Sequence, residues 1–342
     1  DAARENLAKD ASQTIHYTGA GENTPADNVI PVKDAFTRSI KVDKVTGTII
    51  ERKDWEPNKH AFETVATPEV VNYYANKDKA GGLTATVDNP NVVEDVVYAP
   101  KEGTLTVRYL DQDKGMAEIE GTGSSIGGNY GDTINYSTQP TIDELLKKGY
   151  ELVSDGFTGK AGEVFGDDNK GQTYDVVLKH GITEYTPENP GTPDTPINPE
   201  DPDGPKVPGD AARENLAKDA SQTIHYTGAG ENTPADNVIP VKDAFTRSIK
   251  VDKVTGTIIE RKDWEPNKHA FETVATPEVV NYYANKDKAG GLTATVDNPN
   301  VVEDVVYAPK EGTLTVRYLD QDKDMTEIEG TGSSIGGNYG DT

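Results

Sequence analysis

Cysteine is absent from all 342 residues, so no disulfide can staple this chain. That absence leaves the compartment open, because many bacterial surface proteins dispense with disulfides. No apolar run approaches the ~18 residues of a membrane span, and no charged-then-apolar leader opens the sequence. Membrane insertion is not expected. Basic residues are also scarce, 34 against 59 acidic, for a formal net charge of −25. Such a surface repels nucleic acid and anionic lipid, both of which need a positive patch. Catalytic signatures are missing too. There is no phosphate loop or His-Glu-x-x-His, and His16, His60 and His180 stand apart from one another and from any serine motif. An enzyme is not expected, nor is any cofactor.

What the chain does have is repetition. "DAARENLAKDASQTIHYTGAG" at residue 210 repeats the opening letter for letter, a period of 209. Between the copies only two positions differ: Gly115 against Asp324, and Ala117 against Thr326. A solenoid unit runs to roughly 20–50 residues, so each copy here is an array member with its own core. Before the second copy, "TPENPGTPDTPINPEDPDGPKVPG" places proline at every third position from Pro187 to Pro208. Proline lacks an amide donor and fixes φ, so this stretch predicts a polyproline II linker over 185–209. At ~3.1 Å per residue it would be a rod of roughly 65 Å that few contacts cross.

Within one copy the pattern is β-rich. "AFTRSIKV" (35–42) alternates with Phe36, Ile40 and Val42 on one face, and "TIIERK" returns as a hairpin partner. "LTATV" (83–87) and "NVVEDVVYA" (91–99) add strands around the turn "DNPN". "TLTVRYL" (104–110) opens a second half with Leu105, Val107 and Tyr109 on one face. Its turn "DQDKG" contains Gly115, and the Asp324 of copy two is among the few residues tolerating positive φ there. One helix is marked, "PTIDELLKKGY", with Thr141 as N-cap, Leu145 and Leu146 inward and Gly149 as stop. Strands "YELVSD" and "QTYDVVLKH" follow. A hairpin, one helix and returning strands is the order of a β-grasp domain.

The expected fold is therefore β-rich α+β: tandem repeats, each of two small β-grasp modules, strung as elongated beads. The expected boundaries are 1–100 and 101–184 in copy one, the linker 185–209, then 210–309 and 310–342. Copy two stops at Thr342, the counterpart of Thr133, so its last module is expected to lack the helix and closing strands, as a piece of a longer array would.

"TVRYLDQDKG", "GNYGDTINY", "LLKKGYELVSDGF" and "VFGDDNKGQTYDVVLKH" resemble the mucin-binding domain of Gram-positive surface proteins. The full unit, 1–184, is similar to the Mub repeat of Lactobacillus mucus-binding proteins. What the resemblance implies is an extracellular, wall-anchored adhesin that binds mucin glycoproteins through their glycans. Two other readings stand beside it: a structural stalk, and an immunoglobulin-binding repeat that pairs through exposed sheet edges. The repeats are expected to act as monomers.

Sugar recognition wants an exposed aromatic face beside amides or carboxylates. "KDWEPNKH" offers Trp55, and "NYYANKDK" offers Tyr73 and Tyr74, of which at most one can face the core. Their counterparts are Trp264, Tyr282 and Tyr283. The competing account of Trp55 is that it plugs the end of a core. "DQDKG" and "GDDNKG" carry oxygen ligands of the kind calcium takes, but both lack the later bidentate glutamate and sit where a turn is needed, so no metal site is expected.

Overall fold

The computed structural model describes residues 7–167 and 170–342. Asp168 and Asn169 of the acidic loop "GDDNKG" lie outside the described residues. The fold is mostly β, with two repeated similar halves. It divides into two compact units: one runs up to Ile142 and includes Leu152–Leu178, and the other holds Asp143–Glu151 and Lys179–Thr342.

In copy one, Ala8–Thr18 lies central, antiparallel to Asn28–Thr37 and parallel to Asn91–Pro100, with Tyr73–Ala75 antiparallel beyond. Period-two alternation buries Ala11, Gln13, Ile15 and Tyr17. Around them sit two clusters, one on Phe36, Phe62, Ala85 and Val92, the other on Ile15, Tyr17, Val96 and Tyr98. Burying each large side chain contributes roughly 1.5–3 kcal/mol. The strand read across 35–42 breaks after Thr37: Phe36 enters the core, while Ile40–Val42 pairs with Ile49–Arg52 in a separate hairpin. The amide of Arg38 donates instead to the carbonyl of Leu7.

The second half centres on Glu102–Asp111, antiparallel to Ser124–Asn129 and Ala117–Glu118 and parallel to Thr173–His180, with Tyr150–Asp155 outside. Leu105, Val107 and Tyr109 are fully buried. The turn behaves as its sequence requires: Gly115 has φ 66° and Asp324 has φ 51°. Asp111 accepts from the amides of Asp113 and Lys114, so its carboxylate holds the turn.

The helix runs Gln139–Lys147, which puts Thr141 inside its first turn rather than at the N-cap. Pro140 suits a first helical turn, where its missing donor costs nothing, and Ser137 Oγ accepts from the Gln139 amide. Glu144 pairs with Lys147 at 2.7 Å. Ile142 and Leu145, three apart on one helix face, are buried, whereas Leu146, expected inward, is exposed: adjacent residues lie about 100° apart round a helix, and the buried face is centred towards Leu145. Gly149, at φ 96°, ends the helix as expected.

The proline-rich stretch is not a rod. It folds back on itself: Asp194 and Val207, Thr195 and Val207, and Ile197 and Pro205 are joined by backbone hydrogen bonds of 2.8–3.1 Å, and Asp194 has φ 63°. Every donor in these pairs comes from a residue between the prolines, so missing proline amides do not prevent the pairing. The apolar residues decide the outcome. Val207 is buried with Tyr185, Ala211, Leu216, Ile249 and Val251, with Ile197 and Ile258 packed against them. Strand Ile182–Tyr185 adds to Ile249–Asp252, making a three-stranded sheet with Ile258–Arg261.

Residues 310–342 build two short ladders, Glu311–Val316 with Ser333–Asn338 and Leu319–Asp320 with Thr326–Glu327. Leu314, the counterpart of buried Leu105, is 64% exposed.

One ion pair braces the loop after Tyr74. Glu94 accepts from Lys77 at 2.7 Å and from the Gly81 amide. These bonds, Lys77 first, hold the Glu94 carboxyl below the usual glutamate range. A depressed carboxyl adds stability above its unfolded pKa, and that stability is lost as pH falls through the folded value. Glu94→Gln should therefore cost on the order of 1 kcal/mol at pH 7 in urea unfolding. The gap from wild type should close towards pH 3; an unchanged gap would overturn the assignment.

Candidate functional site

Strand Tyr73–Ala75 places Tyr73 opposite Pro100 and Tyr74 opposite Ala99. Consecutive strand side chains take opposite faces. Tyr73 turns in, half-buried against the cluster of Ile15, Tyr17 and Val96, and meets Tyr130 edge-on at 5.7 Å. Tyr74 turns out and is 61% exposed, with Lys101 Nζ 5.3 Å from its ring centroid. The same arrangement recurs at Tyr282 with Tyr339, 5.7 Å, and at exposed Tyr283 with Lys310, 5.4 Å.

Tyr74 lines a shallow cleft of about 750 Å³ together with Thr67, Glu69, Asn72, Asp78 and Lys101. Buried Tyr98 ties down its rim by donating to the Pro68 carbonyl at 2.6 Å. Burial, and then the neighbouring Tyr17, raise the Tyr98 pKa, keeping it a neutral donor. Thr67 Oγ1 is buried without a hydrogen-bond partner, as is Thr276 Oγ1 in copy two. The cleft thus combines an exposed ring, a cation, carboxylates and an amide, the chemistry that a sugar bearing hydroxyls and a negative charge would meet.

The tryptophans differ. Trp55 is half-buried against the Phe36 cluster, with the Arg38 guanidinium 4.4 Å and Lys9 Nζ 5.5 Å from its ring. Trp264 repeats this with Arg247 at 4.5 Å and Lys218 at 5.3 Å. Trp264 also lines a cleft of about 910 Å³ that Pro187 and Glu188 of the folded strap share. Both indoles serve core edge and cation contact, so Tyr74 and Tyr283 hold the freer aromatic faces. Lys101 and Thr67 escaped the sequence reading; the only signal was a lysine directly after the "VVYAP" strand.

Residues 2–102 and 211–311 match the model of the Muc B2-like domain, and residues 103–180 match that of a mucin binding domain. No curated protein matches the chain. Among solved structures, Mub-RV is 29% identical, covering 61% of this chain and 99% of that one with a TM-score of 0.43. The type 2 repeat of the mucus binding protein MUB from Lactobacillus reuteri is 23% identical, covering 61% and 100%, with a TM-score of 0.36. A MucBP domain from Lactobacillus acidophilus is 27% identical, covering 28% and 93%, with a TM-score of 0.22. With Muc B2-like matches over both copies, the chain belongs to the Muc B2-like domain family, with a mucin binding domain match between them.

Proposed function

We propose that this chain is an extracellular adhesin segment that binds mucin glycans at the Tyr74 cleft and its Tyr283 counterpart. Its modules are read as β-grasp-like units at 1–100, 101–184 and 210–309, with 310–342 a truncated counterpart of the second, displayed on a Gram-positive cell wall as monomers. The observation that carries the reading is an exposed tyrosine beside a lysine, repeated in both copies of a mucin-binding family member. Mucin glycans carry sialate and sulfate, which a surface of net charge −25 repels at long range. Lys101 supplies a local positive charge next to the stacking face, so contact survives the unfavourable field. Tyr73 and Tyr282 turn inward from the same strands, while Trp55 and Trp264 sit at the edge of the Phe36 and Phe245 clusters.

Binding of the whole chain to immobilised mucin tests this, with free glycans and immunoglobulin as parallel ligands. Tyr74→Ala with Tyr283→Ala should weaken mucin binding about tenfold, equivalent to ~1.4 kcal/mol. Both side chains are exposed, so the fold should stand. Undiminished mucin binding would remove the tyrosine clefts from the reading. Binding to immunoglobulin without mucin would replace it with the sheet-edge alternative.

A further inference from the structure

Among the described residues the same hairpin occurs twice, once covered and once bare. In copy two, Ile249–Asp252 receives strand Ile182–Tyr185 along its outer edge, Ile182 opposite Asp252 and Tyr185 opposite Ile249. The folded strap then closes over it, and Ile249, Val251 and Leu216 become wholly buried. In copy one, among the described residues, the identical residues form a two-stranded hairpin, Ile40–Val42 with Ile49–Arg52. There Val42 is 44% exposed, Ile49 48% and Val45 94%.

The polar fittings are duplicated as well. In copy two, Ser248 donates to Glu184 at 2.6 Å, Asp252 Oδ2 meets His180 at 2.6 Å, and the Lys253 carbonyl accepts from Asn198 at 2.9 Å. Ser39, Asp43 and Lys44 occupy the corresponding places. Asp43 Oδ1 already accepts from the amides of Val45 and Thr46, as Asp252 Oδ1 does from Val254 and Thr255. The acceptor turn is therefore built in copy one before anything is seated on it.

From this we infer that the Ile40–Val42 edge is a docking site for the strand-and-strap segment, residues 179–209, of another repeat of the same kind. An unpaired edge strand beside a contiguous apolar patch is a template for strand addition. The occupant is specified by the chain itself, because an identical edge is filled by that segment in copy two. Repeats are thereby joined by a seated strand and strap, and the hairpin is the socket.

A synthetic peptide of residues 179–209, labelled and titrated into the whole chain, provides the test by fluorescence anisotropy and calorimetry. One peptide should bind per chain, since the copy-two socket is filled in cis. Val42→Asp, at an exposed position, should weaken it at least tenfold while leaving the circular dichroism spectrum unchanged. A Tyr185→Ser peptide, lacking the ring that pairs with the Ile40 position, should lose binding similarly. No saturable binding, or binding indifferent to Val42→Asp, would overturn the assignment. Chain dimerisation abolished by Val42→Asp without peptide binding would overturn it too, giving the edge to a second hairpin.

Discussion

Gly19→Ala should be among the most damaging single substitutions in copy one, lowering stability by on the order of 4 kcal/mol. Gly19 follows the central strand at φ 97°, and a Cβ there would stand 2.2 Å from the carbonyl oxygen of Tyr98. Left-handed backbone strain adds ~1–3 kcal/mol and overpacking against a fixed carbonyl a further ~1–3 kcal/mol. Relief is denied because Tyr98 is buried and its hydroxyl is bonded to Pro68. Gly228 repeats the geometry against Tyr307, so Gly228→Ala should injure copy two equally. Thermal and urea unfolding measure both. A loss below about 1 kcal/mol in either variant would mean that the strand end shifts freely.

Gln13→Leu should cost about 2–4 kcal/mol, although it replaces a polar side chain in the core with an apolar one of similar size. Gln13 is fully buried, and its Nε2 donates to the Glu63 carbonyl at 3.2 Å while its Oε1 accepts from the Leu83 amide at 3.0 Å. It stands between two short ladders, Lys59–Ala61 with Thr84–Thr86 and Thr64–Ala66 with Lys79–Gly81. The side chain bridges the gap where backbone pairing changes from one ladder to the next. Leucine would fill the space and leave the half-buried Leu83 amide without its acceptor, and that orphaned donor makes the exchange unfavourable. Gln222 repeats both bonds, to Glu272 and Leu292. Urea unfolding of Gln13→Leu reads the loss, and neutrality would show that water or backbone movement satisfies the amide.

Both positions were present in the sequence without being readable as important. The alternation Ala11, Gln13, Ile15, Tyr17 puts a glutamine in an inward row, a sign that some buried group needs it. Its partners lie 50 and 70 residues away, and no local pattern names them. The same limit applied to the site. Period two alone separated Tyr73 from Tyr74, because adjacent strand side chains must diverge. Lys101 joined Tyr74 only once strand Tyr73–Ala75 had paired with the end of Asn91–Pro100.

By itself the sequence determined the 209-residue repeat, the β-rich pattern, the stop at Gly149 and the positive φ shared by Gly115 and Asp324. It also determined the mucin-binding resemblance, through motifs that are local strings. Tertiary structure alone decided the fate of the proline-rich segment. Proline every third residue excludes helix and central strand, but it says nothing of where Ile197 and Val207 will go. Burial of those two with Tyr185, Ile249 and Val251 favours the folded strap over the extended rod, as apolar area removed from water stabilises whichever conformation can hide it. Copy one's hairpin carries the same letters without that cover among the described residues, so identical sequence leaves Val42 exposed and Val251 buried. A strand's propensity is local; what lies against its edge is set by the rest of the chain.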